Sequence, residues 1–264
     1  MLSTSQAQQT SGVRELIDRL ERPVEIAWEP ERASARGIYG FNSMDPRSRS
    51  FNLIRGKLVE YHRSRDWRLL GVVSATPNVG KSFVTANLSA SVSRDPMIGT
   101  FAIDLDLRRG SLTEQFGLAP EEGLSEHLGR GAPLTTLRLA GEKLSLVPTV
   151  GKMLHSAELL ASQRAALLFE AMRSSDPRNL FICDLPPVFA NDDAVTAMAH
   201  LDAYVLVAEE GRTTEREIRD AVDVLGRERL AGIVLNKFRG GMVSDGYGID
   251  SYYAAGYEGN VGSR

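Results

Sequence analysis

The 264-residue chain has a single cysteine, Cys183, so no internal disulfide can brace it. Its four histidines, His62, His127, His155 and His200, lack the spacing of metal ligands. No stretch approaches the roughly 20 apolar residues that cross a bilayer. The N-terminal "MLSTSQAQQTSG" has neither a basic leader nor an apolar segment. Lys and Arg number 31 against 34 Asp and Glu, and the formal net charge of -3 supplies no global field for nucleic acid or an anionic membrane. These absences predict a cytoplasmic protein with no nucleic-acid partner; if it works at a membrane, another protein must hold it there.

A hydrophobic fraction of 42% is ordinary for a globular chain. Six short apolar runs punctuate residues 69–237: "LLGVVSA", "GTFAIDL", "LSLVPTV", "NLFICDL", "AYVLVAE" and "AGIVLNK". Helical periodicity lies between them, as in "GKSFVTANLSASVSR" and "TTEREIRDAVDVLGRER". Strands apolar on both faces and alternating with helices predict an α/β fold, a mostly parallel sheet flanked by helices. Cys183 falls inside one of these runs and reads as inert core.

Residues 1–47 are polar, with Pro23, Pro30, Gly37, Gly40 and Pro46, a composition that predicts a flexible leader. Within it, Val13, Leu16, Ile17 and Leu20 recur at helical spacing between Ser11 and Pro23. That short amphipathic helix is expected either to pack on its own domain or to dock a partner. A core domain over 48–238 follows. Residues 239–264 are rich in Gly and Ser, carry Tyr247, Tyr252, Tyr253 and Tyr257, and read as a flexible tail.

The stretch "SATPNVGKSF" places a tight loop between a strand and a helix, where backbone N–H groups and the helix dipole converge on an anion. Ala75, Thr76, Pro77, Asn78, Val79, Gly80, Lys81, Ser82 and Phe83 are thereby expected to cradle phosphates. Lys81 would reach the β and γ phosphates, and the Ser82 hydroxyl would complete a Mg2+ shell. Ala75 replaces the usual first glycine, a harmless change unless that position needs a positive φ. Asp104, Asp106 and Asp184 end two further apolar runs, so all three acids are expected beyond the carboxyl ends of the strands, beside the loop. In an extended "DLD", residues i and i+2 face one side, one acid managing the metal water and the other accepting a hydroxyl proton. Arg108 and Arg109 are expected either to neutralise phosphate charge or to form a solvated turn.

In order and approximate spacing, "SATPNVGKSFVTANLSASVS", "FAIDLDLRRGSL", "GLSEHL", "HSAELL", "FICDLPPVFANDDA" and "GIVLNK" resemble the bacterial tyrosine kinases of exopolysaccharide and capsule synthesis. The resemblance spans about residues 48–240 and covers three modified Walker elements, at Ala75 to Ser82, Ile103 to Arg109 and Phe181 to Pro187. It implies a P-loop fold and an ATP- and Mg2+-dependent autokinase of the stand-alone cytoplasmic type. Lys81 and Ser82 would bind phosphate and metal, Asp104 would serve as base or metal-water ligand, Asp106 would support it, and Asp184 would organise Mg2+. Asn236 would face the adenine edge, and the four tail tyrosines would be acceptors. A membrane-embedded chain-length co-polymerase as activator, a homo-oligomer and a phosphotyrosine phosphatase are the implied partners.

Two features depart from the family. Its oligomerisation helix resembles E-x-x-R-x-x-R, whereas "RSFNLIR" offers Arg49, Asn52 and Arg55. The basic run over 47–68 is expected to be either a solvated helix face or a subunit contact. The tail also lacks long Tyr-Gly runs. Two other readings stay open: a nucleotide-dependent ATPase switch, from whose signature lysine Thr76 departs, and a catalytically degenerate regulatory subunit of the polysaccharide machinery. An iron protein of similar fold would need two cysteines per chain.

Overall fold

The computed structural model describes residues 4–238. Among them, eight strands form one sheet: β1 (Val24–Ile26), β2 (Leu69–Ser74), β3 (Gly99–Asp104), β4 (Leu137–Leu139), β5 (Leu144–Val147), β6 (Asn179–Asp184), β7 (Ala203–Glu209) and β8 (Leu230–Asn236). Their order is β1-β4-β5-β3-β6-β2-β7-β8. The six strands from β5 to β8 run parallel, and β4 turns antiparallel to β5, carrying β1 with it. The six parallel strands are the six apolar runs. All residues of β2 and β6 are buried, as strands covered on both faces must be.

The helices are α1 (Thr4–Glu21), α2 (Pro30–Ala35), α3 (Arg49–Arg65), α4 (Lys81–Val92), α5 (Leu112–Gln115), α6 (Leu124–Arg130), α7 (Ser156–Leu160), α8 (Gln163–Ser174), α9 (Asp193–Met198) and α10 (Glu215–Leu225). One core joins residues of α1, α6, α8, α9 and α10 on one sheet face, with Phe101 stacked on Phe181 at 4.8 Å. The other joins Phe51, Leu58 and Val59 of α3 and Val84 and Leu88 of α4 to Leu70, Val72 and Val205. Cys183 lies in the first core, and burial pushes its thiol well above the ordinary range.

Residues 4–47 correct the expectation of a flexible leader. The amphipathic helix starts earlier than the Ser11 signal suggests, and Leu16 and Leu20 are buried in the first core with Leu168 and Met172 of α8. Of its two expected fates, the helix takes packing on its own domain. Val24–Ile26 then pairs with Leu137–Leu139, and Ala33 and Ile38 close a third small core with Phe116 and Leu146. The polar composition hid this because few apolar residues, regularly spaced, do the burying. Replacing Leu20, fully buried, with alanine is expected to cost about 2–5 kcal/mol, read as a fall in urea midpoint; an unchanged midpoint would return the segment to a free leader.

The basic run over 47–68 is engaged largely within the chain. Arg63 lies 3.1 Å and Arg55 4.0 Å from Asp95, while Asn52 accepts from Arg94. Arg68 turns inward and is nearly buried. Tyr247, Tyr252, Tyr253 and Tyr257 lie outside the described residues.

Candidate functional site

β2 lies between β6 and β7, and its chain leaves the carboxyl end into the loop that precedes α4. Positive φ occurs there at Asn78 (65°) and Gly80 (91°), not at Ala75. The methyl of Ala75 therefore meets no backbone penalty. It is buried, and its carbonyl accepts from Phe189 N at 3.1 Å. At Gly80 a side chain is excluded twice, because an added Cβ would stand 2.1 Å from Asn236 Nδ2. Thr76 O accepts from Ser74 Oγ, Val79 is buried in the second core, and Phe83 packs edge-on against Phe51.

Asp104 and Asp184 are direct register partners at the ends of β3 and β6. Lys81 Nζ sits 3.3 Å from Asp184 Oδ1 and 3.4 Å from Asp106 Oδ2. Ser82 Oγ donates to Asp184 Oδ2 at 2.5 Å and lies 3.0 Å from Ser111 Oγ, and Thr85 Oγ1 donates to Asp184 Oδ1 at 3.2 Å. The five expected residues, Lys81, Ser82, Asp104, Asp106 and Asp184, thus converge on one end of the sheet. Thr85 and Ser111 are additions. Thr85 follows Lys81 by one helical turn, a spacing that identifies it in retrospect.

The two acids of "DLD" meet the site by a different route from strand alternation. β3 ends at Asp104, and the chain turns at once, with Arg109 N and Gly110 N both donating to Asp106 O. Asp104 is fully buried and spends Oδ1 on Asp106 N (3.2 Å) and Oδ2 on Leu112 N (2.9 Å). Asp106 instead lines the cleft. Arg109 Nη1 donates to Asn78 Oδ1 at 2.8 Å, and Arg108 Nε to Ser156 Oγ (2.8 Å) and Asp193 Oδ2 (3.2 Å), so neither forms a merely solvated turn. Asn236 reaches the loop, where its Nδ2 donates to Val79 O at 2.8 Å.

Burial opposes the Lys81 charge, but the attraction of Asp184, Asp106 and Asp104 outweighs it and holds the ammonium above its usual range. Burial, and then the Asp184 charge, raises Asp104 well above the carboxylate range. Asp184 is also raised by burial, against the pull of Lys81 and Ser82. In a group so raised, ionisation costs folding free energy as pH climbs from the ordinary carboxylate value through the folded one. Asp104→Asn removes that cost but also gives up one of the two backbone N–H bonds, since an amide has a single acceptor oxygen, so the pH dependence is the readout. The thermal midpoint of wild type is expected to fall relative to that of Asp104→Asn as pH rises from below the ordinary carboxylate range to neutrality, each kcal/mol of difference being about 2–4 °C. Midpoints that run parallel across that range would contradict it.

A cleft of about 540 Å³ opens over these residues, walled by Pro77 and Asn78 on one side and Arg109, Glu114 and Pro187 on the others. That volume suits a nucleotide. Hydroxyl and carboxylate oxygens at Ser82, Asp106 and Asp184 are hard donors of the kind Mg2+ takes, and the loop backbone with Lys81 suits phosphate. Parallel sheet, loop and strand-end acids together define a P-loop nucleotide-binding domain.

No family model matches the chain. The succinoglycan biosynthesis transport protein ExoP of Rhizobium meliloti (strain 1021) is 32% identical over 177 residues, 64% of this chain and 22% of that protein. The tyrosine-protein kinase etk of Escherichia coli (strain K12) is 32% identical over 172 residues, 64% of this chain and 23% of that protein. The structure of the BceF tyrosine kinase domain superposes with a TM-score of 0.64 at 27% identity, covering 83% of this chain and 96% of that one. The chain spans less than a quarter of the length of these two curated relatives. Within the P-loop class, the chain is thus similar over about two thirds of its length to one protein named for succinoglycan biosynthesis transport and to another named a tyrosine-protein kinase, and it shares the fold of a solved tyrosine kinase domain.

Proposed function

We propose that the chain is an ATP-dependent protein-tyrosine autokinase that phosphorylates its own tail, at Tyr247, Tyr252, Tyr253 and Tyr257, and thereby regulates exopolysaccharide or capsule polymerisation and export. The convergence of Lys81, Ser82 and Asp106 on the wall of one nucleotide-sized cleft, with Asp184 buried behind them and bonded to Lys81 and Ser82, carries this reading.

Phosphoryl transfer asks a protein for positioning and charge neutralisation more than for covalent chemistry. Lys81 would neutralise the transferring phosphoryl oxygens, and its attachment to Asp106 and Asp184 fixes where that charge stands. Ser82 and Asp184 would hold Mg2+, which supplies charge neutralisation across the phosphates when bound. Of the two acids on the cleft wall, Asp106 and Glu114, Asp106 is the one beside Lys81 and would accept the tyrosine hydroxyl proton. Asp104, with both oxygens on backbone N–H groups, would shape the turn that presents Asp106. The second Asn236 hydrogen and its carbonyl oxygen would serve the adenine edge.

A membrane-embedded chain-length co-polymerase as activator, self-association and a phosphotyrosine phosphatase complete the proposed cycle at the inner face of the membrane. Each phosphotyrosine adds about -1.5 to -2 charges, so modified tails would repel one another and loosen tail-to-site contacts between subunits. The test is to incubate the purified chain with magnesium ATP, with and without the activator's cytoplasmic segment, and map phosphotyrosine by mass spectrometry. Label on the tail tyrosines supports the kinase. ATP turnover with no tyrosine label would favour the ATPase switch, and no turnover in either condition would favour the degenerate regulatory subunit.

A further inference from the structure

We propose that Lys237 is a positioning residue which, together with Asn236, holds the phosphate loop open toward its anion by pulling two successive loop carbonyls outward. The inference rests on the nucleotide-site reading above and adds to it a strut from the far side of the sheet.

Asn236 ends β8, and Lys237 follows it with a left-handed φ of 55°. That conformation is uncommon for a residue with a side chain, and here it turns the lysine back toward the loop. Lys237 Nζ donates to Asn78 O at 2.8 Å and to Glu209 Oε2 at 3.0 Å, and Asn236 Nδ2 donates to Val79 O at 2.8 Å. Hydrogen bonding from Lys237, with help from Arg212, holds the Glu209 carboxyl below its usual range, so the anchoring acid is charged.

In a trans peptide the C=O and the following N–H point in opposite directions, and no described peptide is cis. With Asn78 O drawn toward Lys237, the Val79 N–H points away from β8. With Val79 O drawn toward Asn236, the Gly80 N–H does the same. β8 lies on one side of β2 in the strand order, while β6 and β3, whose following segments wall the cleft, lie on the other. The two outward carbonyls therefore aim two N–H groups at the cleft, and neither meets an acceptor among the described residues. Asn78 can adopt its own left-handed φ of 65° because its carbonyl is held by Lys237 and its side chain by Arg109.

The experiment is an equilibrium titration of the full chain with N-methylanthraniloyl-ADP and magnesium, comparing wild type with Lys237→Met and Lys237→Arg, alongside the amide nitrogen chemical shifts of Val79 and Gly80 in the ligand-free proteins. Lys237→Met keeps the apolar stem and loses the donor. It is expected to bind about tenfold more weakly and to shift the Val79 amide nitrogen, whose peptide carbonyl is Asn78 O. Lys237→Arg, which still donates, should recover most of the affinity. Wild-type binding matched by Lys237→Met, with an unchanged Val79 shift, overturns the strut and leaves the nucleotide site standing. Weakened binding that Lys237→Arg does not recover overturns the donor role. Absence of binding by wild type overturns the site itself, and the strut with it.

Discussion

Lys81→Ala is expected to abolish tyrosine phosphorylation and ATP turnover together, a loss of at least about 10²–10³-fold, the range seen when one preorganised charge-stabilising donor is removed. The side chain is buried, and its ammonium is shared between Asp106 at 3.4 Å and Asp184 at 3.3 Å. Its raised pKa keeps the charge in place across neutral pH, so the activity profile should show no loss from Lys81 until strongly alkaline conditions. The same sharing gives the substitution a second consequence. Removing one partner of a buried charge network strands the others, at about 3–5 kcal/mol, so Lys81→Ala should also be less stable than wild type. Lys81 stabilises the fold below its ordinary lysine value, and that contribution fades as pH rises through the higher folded value. Adding Asp184→Asn to Lys81→Ala removes the stranded charge that faced it. Partial recovery of the urea midpoint with no recovery of activity is the expected pattern, and recovered activity would remove Lys81 from the chemistry.

Arg68→Ala is expected to be the most damaging single change away from the site, at about 3–5 kcal/mol. Arg68 stands just before β2, and its guanidinium fans into the end of α8. Nη1 donates to Arg173 O at 2.6 Å, and Nη2 to Asp176 O at 2.6 Å, Ser175 O at 3.2 Å and Met172 O at 3.3 Å. The last carbonyls of a helix have no partners of their own and carry the negative end of its dipole, so a cation here meets both needs. Alanine would take this donor from all four oxygens, leaving Arg173 O and Ser175 O to find water while Met172 O keeps Ser175 Oγ and Asp176 O keeps Asn179 N. Arg68→Lys should recover only part of the loss, because one ammonium cannot reproduce a planar fan of donors. Urea unfolding measures both, as a lower midpoint at unchanged slope. A change under about 1 kcal/mol for Arg68→Ala would mean that solvent readily replaces the cap.

Arg68 also shows where composition misleads. In a run containing Arg47, Arg49, Arg55, Lys57, Arg63 and Arg65 it reads as one more surface charge, and nothing local marks it as internal. The six parallel strands were legible because their apolar runs reflect burial on both faces. β1 and β4, three residues each, are too short to show a period and exist through their pairing with each other and with β5. The acids Asp104, Asp106 and Asp184 were legible as strand-end residues, but the register that sets Asp104 opposite Asp184 was not, since it depends on how β3 and β6 slide together. The division between a buried Asp104 and a cleft-facing Asp106 follows from the turn over residues 106–110, which strand alternation does not describe. Lys237 stood in the quoted "GIVLNK" and passed unnoticed because its reach to Asn78, 159 positions away, is a property of the sheet order.

The claim that this cleft transfers phosphoryl groups to the chain's own tail is tested most directly with γ-labelled ATP and magnesium. The intact chain is compared with a variant in which Tyr247, Tyr252, Tyr253 and Tyr257 are all phenylalanine. Label is expected on the tail of the intact chain and is expected to be lost in the variant, with N-methylanthraniloyl-ADP binding unchanged between the two. Equal labelling of both proteins, or ATP turnover by the intact chain with no label on any tyrosine, would contradict it.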